Sequence, residues 1–468
     1  VSATPKPLDP LQVAAIVDEQ RLADWSGVGI APVRYVEDRL SRPLLLDVLK
    51  QDPTARVVLH AGARTFGDVA GLDASKLTPA THDDARDFPA RIGRGPDGTF
   101  HVVGLVGEDW TRQFLHSLAV VGIDVARVSV SVVREPEAIV AADLDATLHA
   151  HRFDSVVVGT VGELTRAVER VLRARDLPRH VAATIARMAT HLEQQVQTAR
   201  PDRQQRWRDR ADLLENLRAQ NPDPLACLAA IEADPMVGPP LADLIRAARE
   251  GASAAELGLR SENGKAKVIS HRILEVEGKT HLLVHVGGAH GDLAGHAVAR
   301  ALDLQPGLTQ VGFYGTCGSL DAALPPDTFL RPVGTMQSLE SDRPVVTIDN
   351  QAVLPGVVDV AHTNVSTLLR EHRQGLTALQ QMGRSVDVES YHVARAVADA
   401  GRPVTLRAIL RASDVATDPS LGAHRSDRAG TSDYDARRIA EEAVVQCLGL
   451  VSSSSSPSIA APSGGVQP

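Results

Sequence analysis

Apolar and polar positions fall into three textures along the chain. Up to about residue 50 the apolar positions recur at helical spacing, as in Leu11, Ala14, Ala15 and Val17 and again over residues 44–48. From there to about Asp176, short apolar runs alternate with amphipathic stretches. Residues 56–60, 100–106, 128–133 and 155–158 read as strands, and residues 110–121 and 164–172 as helices. Such alternation predicts an α/β layer with a largely parallel sheet. The middle of the chain differs. Residues 181–199 and 204–219 are long, polar and charged, with breaks at Pro201 and Pro222, and read as paired helices. Leu241, Leu244, Ile245 and Ala248 continue the helical spacing to Gly251. Alternation returns from about Lys265, with strands over 268–269, 282–286, 310–314 and 404–412. Helices are expected over 294–302, 366–379, 391–400 and 435–448. Beyond Leu450 the chain turns to Ser, Pro, Ala and Gly, too poor in apolar surface to order itself. The expected organisation is an α/β domain over 1–178, a helical connector over 179–260, a second α/β domain over 261–450 and a disordered tail over 451–468.

Composition narrows the function classes. A length of 468 residues suggests two or three domains, and 43% hydrophobic with 23% charged residues fits a soluble globular chain. The net charge of −9 gives no general attraction to nucleic acid or to an anionic membrane. The basic residues between Arg203 and Arg210 are interleaved with Asp202, Asp209, Asp212 and Glu215, as on a solvated helix face. No apolar run approaches the ~20 residues of a membrane helix. The start at Val1 lacks both a signal-peptide layout and an initiator Met, so earlier residues are expected to have been removed. Cys227, Cys317 and Cys447 are isolated, which excludes a disulfide scaffold and fits a reduced cytoplasm. The histidines are not read as metal ligands, and His271, His285, His290 and His296 read as makers of ordinary polar contacts. Neither a metal nor a cofactor is expected. There is no Gly-x-Ser-x-Gly elbow and no Walker loop, and Gly287-Gly288-Ala289 alone makes no dinucleotide site.

Three stretches carry candidate chemistry. Gly315-Thr316-Cys317-Gly318-Ser319-Leu320 follows the strand expected at 310–314, and small residues leaving a strand let backbone N–H groups approach an anion or a sugar. Ser385-Val386-Asp387-Val388-Glu389-Ser390-Tyr391 runs into a helix. Asp387 suits the helix N-terminus, while Glu389 is a carboxylate in apolar company and needs partners. Leu410-Arg411-Ala412-Ser413-Asp414 ends a strand, where an Asp either caps a turn or acts on a ligand.

In that order these stretches resemble the nucleoside phosphorylase and nucleosidase superfamily, over roughly residues 262–450. Further matches are Ser270-His271-Arg272 with Glu277-Gly278-Lys279, similar to the uridine phosphorylase segment with a phosphate-binding Arg, and Asp327 after Leu324-Pro325-Pro326. The resemblance implies a three-layer αβα domain that cleaves the N-glycosidic bond of a nucleoside or nucleotide, purine favoured, by water or by phosphate. It implies that Glu389 accepts hydrogen bonds from the ribose hydroxyls and that Asp414 acts as acid on the base. By the same resemblance Gly315, Thr316, Cys317, Gly318, Val388 and Ser413 line the substrate, and Thr316 and Arg272 serve the phosphate or water. Arg272 would then reach the site of a neighbouring subunit, which implies a homo-oligomer.

The sequence also departs from the family pattern. Phe313 stands where hexameric phosphorylases carry an Arg that can grip phosphate in a fork, a residue the nucleosidases also lack. Val388 replaces the usual Met, and the first strand of the family domain has no counterpart just before Lys265. A non-catalytic nucleoside-binding sensor or scaffold of the same fold is the alternative. A second string, Gly104-Leu105-Val106-Gly107-Glu108-Asp109, resembles ribokinase-like sugar kinases. Their Gly-Ala-Gly-Asp anion hole is met here only by Gly288-Ala289-His290-Gly291-Asp292, with an intruding His. The match is read as a chance strand–turn–helix pattern. The N-terminal half is left to bind a ligand, regulate or mediate assembly.

Overall fold

The computed structural model describes residues 6–7, 36–37, 39–80, 90–264, 268–285, 290–340, 343–370, 373–416 and 434–452, except the side chains of 6–7, 373–374 and 434–440. The helical spacing at 11–17, the glycine cluster 287–289 and the tail from 453 lie outside these residues. The chain divides into two compact units, one of residues 1–164, 261–274 and 278–468, the other of residues 165–260 with 275–277.

The first unit holds two sheets. The smaller one is built from β1 (Lys6–Pro7), β2 (Val57–Ala61), β3 (Thr78–Pro79), β4 (Arg91–Arg94), β5 (Phe100–Val103) and β6 (Val128–Val132), in the order β1-β6-β2-β5-β4-β3. Strands β5, β2 and β6 run parallel, as the alternating pattern predicts. Helix α1 (Asp47–Gln51) and helix α2 (Glu108–Val120) supply Leu49, Phe114 and Leu118 to a core with Val57, Leu59, Ile92, Phe100 and Val102. Burying these side chains drives the layer together at ~25 cal/mol per Å² of apolar surface.

On β2, His60 is buried with Nε2 3.0 Å from Nδ1 of His101 on β5. Burial, and then the charge of His101, bring its pKa down to about 4. The unfolded chain binds this proton from about pH 6.5 downward and the folded chain only near 4, so stability is lost as pH falls across that window. The variant His60→Gln should flatten the acid limb of the urea midpoint plotted against pH. An equally steep limb in the variant would assign the acid sensitivity to other groups.

Helix α3 (Pro136–Ala150) follows, then β7 (Ser155–Gly159) and the long helix α4 (Val161–Thr198). The second unit packs Val181, Ile185, Met188 and Leu192 of α4 against α5 (Pro201–Gln220), α6 (Pro224–Ala233) and α7 (Ala242–Glu250) through Leu214, Leu228, Ile231 and Ile245. The arginines at 203, 206 and 208 are exposed, as the interleaved charges predict.

The larger sheet follows with β8 (Arg260–Asn263), β9 (His271–Val276), β10 (Lys279–His285), β11 (Gln310–Ser319), β12 (Phe329–Ser338), β13 (Val346–Ile348), β14 (Val358–Asn364), β15 (Ser385–Asp387) and β16 (Thr405–Val415). Its order is β13-β12-β14-β15-β11-β7-β10-β9-β8, with β16 paired to β11 and β12. Its helices are α8 (Asp292–Leu304), α9 (Arg373–Met382), α10 (Ser390–Ala398) and α11 (Tyr434–Cys447). Helices α3, α8 and α10 cover the face that carries Val156, Val158, Val311 and Phe313. Successive strand residues point to opposite faces. Val157 and Gly312 accordingly turn the other way, where Leu448, just after α11, packs on them. The arrangement is α/β with three layers.

Two features of this sheet differ from the sequence reading. Strand β7, read as part of the first α/β domain, is parallel to both β10 and β11 and sits between them. An upstream segment thus supplies the strand missing before Lys265. Its run Ser-Val-Val-Val-Gly is buried at every position, as a central parallel strand requires. Helix α3 was not expected, because Asp143 interrupts its apolar face. That buried carboxylate accepts the backbone N–H groups of Val268 and Ile269 at 2.6 and 2.7 Å.

Candidate functional site

The strand expected to stop at Tyr314 continues to Ser319, so Gly315, Thr316, Cys317 and Gly318 lie within β11 rather than in a loop beyond it. The extension is held by β16, which runs parallel alongside and pairs Thr316 with Arg411, Cys317 with Ala412 and Gly318 with Asp414. A bulge between Cys317 and Gly318 leaves Ser413 as the extra residue. On the other side β15 runs antiparallel, with Gly318 opposite Val386 and Ser319 opposite Ser385. Gly318 therefore stands between Asp414 and Val386, and the chain beyond Val386 heads back along β11 toward Thr316. The three stretches singled out in the sequence meet at one end of the sheet. Strand β7 ends at this level too, with Gly159 opposite Tyr314, followed by Thr160 and Glu163.

Gly315 must be small, since a Cβ there would lie 2.9 Å from the Phe313 ring. Thr316, Gly318, Ser413 and Asp414 are half-buried. The Ser413 hydroxyl lies 2.6 Å from Asp414 Oδ1 and 3.1 Å from the Cys317 carbonyl, a geometry that fixes the rotation of the carboxyl group. The side chains of Cys317 and Val388 belong to hydrophobic clusters, Val388 packing with Leu320, Val386 and Leu379. Phe313 is fully buried in the core. Arg272 stands on β9, bonded through Nε to Asn263 Oδ1 at 3.1 Å, and β10 and β7 lie between it and β11. Within one chain it is not brought to the site.

Glu389 occupies the N-cap position of α10 without capping it. Asp387 does that work, accepting the N–H and hydroxyl of Ser390 and a bond from His362 Nε2 at 3.0 Å. Asn364 holds the loop from below by donating to the carbonyls of Asp387 and Val388. Glu389 itself is freed for another partner. Its Oε1 lies 3.0 Å from His290 Nδ1, and only 13% of its side chain is exposed. A carboxylate can only accept, so Nδ1 is the donor. Burial opposes a charged His290, but the hydrogen bond and charge of Glu389, with the charges of Asp109 and Asp292, outweigh it and raise its pKa.

The sequence predicts a polar contact for His290, which Glu389 provides, but does not name that partner or the residues behind it. The His290 ring packs on Trp110 of α2, with centroids 4.2 Å apart. Next to Trp110, Asp109 is fully buried, with Oδ2 2.9 Å from His392 Nε2 and Oδ1 bonded to Arg343. Burial pushes the Asp109 pKa up, but the bond and charge of His392 and the charge of Arg343 bring it below the usual carboxylate range. Asp292 accepts the N–H groups of Glu108 and Asp109 at 2.9 and 3.3 Å. Burial, and then the charge of Asp109, raise its pKa. The described parts of the two strings read as a chance sugar-kinase match, 104–109 and 290–292, thus lie together, with Gly107 against Asp292 and Gly291 against Asp109. The signal for His290 was Glu389, a carboxylate whose sequence neighbours offered it no partner.

No family model matches the sequence, and no curated protein matches it. Solved structures do. Over about 40% of its length, the chain is similar in fold to nucleosidases and a nucleoside phosphorylase. The 5′-methylthioadenosine/S-adenosylhomocysteine nucleosidase from S. pneumoniae is 10% identical, with a TM-score of 0.32 over 40% of this chain and 89% of that one. Purine nucleoside phosphorylase from Toxoplasma gondii is 13% identical, with a TM-score of 0.32 over 41% and 83%. Futalosine hydrolase of Helicobacter pylori is 12% identical, with a TM-score of 0.31 over 41% and 86%. Among the described residues no helix is long and apolar enough to cross a membrane.

Proposed function

We propose that the larger sheet, residues 261–450 together with β7, cleaves the N-glycosidic bond of a nucleoside or nucleotide, with a purine as the favoured base. The observation that carries this reading is the register that puts Gly318 between Asp414 and Val386, with Glu389 three residues further on. Bond cleavage places positive charge on the ribosyl centre and negative charge on the departing base. A site for it must hold the sugar rigidly and hydrogen-bond the base as it leaves. Glu389, steadied by His290, is the acceptor for the ribose hydroxyls. Asp414 donates to the base, and the backbone from Gly315 to Gly318 lines the sugar and the attacking oxygen, with the Thr316 hydroxyl beside it.

Water is the favoured nucleophile. Phe313 is packed into the core at the position where a forked Arg would grip phosphate. Base release from a nucleoside panel, run with and without phosphate, tests this. Free ribose is expected without added phosphate. Turnover that requires phosphate and accumulates ribose 1-phosphate would reject water. It would also make Arg272 from a second copy of the chain the phosphate ligand, in a homo-oligomer whose size light scattering would give.

A further inference from the structure

Trp110 lies in the first turn of α2, within the half of the chain to which the sequence motifs give no role. Its indole covers the His290 ring at 4.2 Å between centroids with the planes 31° apart, while His290 Nδ1 bonds Glu389 Oε1 at 3.0 Å. We propose that Trp110 is a positioning residue for Glu389, acting through His290, and that the N-terminal region thereby sets the preference of the site for a sugar with its hydroxyls intact. This rests on the reading of Glu389 as the carboxylate that holds the ribose.

The geometry supports such a relay. An imidazole with one face covered by an aromatic ring loses freedom to rotate, so its Nδ1–H keeps one direction, and the carboxylate that accepts it keeps one rotamer. Two hydroxyls on a sugar ring require an acceptor fixed in that way. A cationic ring is also favoured over the indole face. The turn that carries Trp110 is itself well anchored. Asp292 of α8 binds the N–H groups of Glu108 and Asp109, and Asp109 is bonded to His392 of α10 and to Arg343. Two glycines permit the approach. A Cβ at Gly107 would lie 2.6 Å from Asp292 Oδ1, and one at Gly291 would lie 2.5 Å from Asp109 Oδ2. Both also have positive φ, +96° and +59°. Trp110 is thus tied to both helices that carry the site, α8 just after His290 and α10 just after Glu389. The simpler reading makes Trp110 ordinary packing, and the two readings differ in what its removal does.

The decisive measurement is the ratio of kcat/KM for a ribonucleoside to that for its 2′-deoxy counterpart, in the full-length wild type, Trp110→Ala and Trp110→Phe. Trp110→Ala should lower the ratio about tenfold, mainly through KM for the ribonucleoside, and Trp110→Phe, which keeps an aromatic face, should restore most of it. A packing role alone reduces the folded fraction and scales both substrates equally, so an unchanged ratio overturns the proposal. A second readout needs no turnover. In protein with ¹⁵N-labelled histidine, the His290 Nδ1–H signal should persist in the wild type and Trp110→Phe and be lost in Trp110→Ala, as in Glu389→Ala. If the wild type shows no ribose preference, the role given to Glu389 fails, and this signal still decides the relay. Its persistence in Trp110→Ala overturns the relay.

Discussion

Replacing Asp414 by Asn should lower the rate of base release by ~10²–10⁴-fold, the usual contribution of a general acid, and leave substrate affinity nearly unchanged. The reason lies in when the interaction forms. On the proposed reading, a bond from Asp414 to the base strengthens only as the glycosidic bond breaks, so its loss is felt in the transition state rather than in the bound substrate. Asn keeps the shape, and its carbonyl oxygen still accepts from the Ser413 hydroxyl that now lies 2.6 Å from Oδ1. What Asn cannot supply is a transferable proton. The competing view is that Asp414 merely ends β16. In that case Asn folds as well and cleaves at the wild-type rate. Single-turnover base release together with a ligand-binding titration separates these outcomes. Unchanged cleavage would end the catalytic assignment. Tight nucleoside binding by a wild type that releases no base would instead favour a sensor of the same fold.

The candidate site was legible in the sequence where chemistry and pattern agreed. Glu389 was marked by its apolar company, and Asp387 by its place before a helix, where the structure has it capping Ser390. Elements whose residues break a simple period were hidden. Strand β12 contains Pro332, Gly334 with φ +78° and a register shift between Pro332 and Met336, all of which argue against a strand in sequence. Helix α3 was masked by Asp143, since a pattern reading counts an Asp as exposed. The glycines of 315–318 suggested a loop, because their strand character comes from pairing with β16, some 95 residues downstream, and no local signal carries it. The largest omission was long-range in the same sense. Nothing near Trp110 or Asp109 points to residues 290, 343 or 392, so their joint role emerges only when the two sheets are brought together.

That junction supplies the largest expected effect on stability. Arg343→Met should destabilise the protein by about 3–5 kcal/mol, because it leaves a fully buried Asp109 carboxylate with one of its two cationic partners removed. Arg343 is itself 9% exposed and also donates to Asn364 Oδ1 at 2.8 Å, the residue that holds the carbonyls of Asp387 and Val388. A surface pair provides the contrast. Arg246 and Asp243 are 67% and 91% exposed, and such a pair is worth about 0–1 kcal/mol. Urea unfolding of Arg343→Met, Arg246→Ala and the double variant Asp109→Leu with Arg343→Met reads the difference. The double variant should recover much of the loss, since it removes the stranded charge along with its partner. Asp109 belongs to the helix that packs on the smaller sheet, and Arg343 lies among the strands of the larger one. Their pairing across 234 residues of chain should make the two sheets unfold together in the wild type. Weakening it should split the transition into two. A single transition in Arg343→Met with less than about 1 kcal/mol lost would mean that water reaches Asp109 and that His392 alone suffices for it.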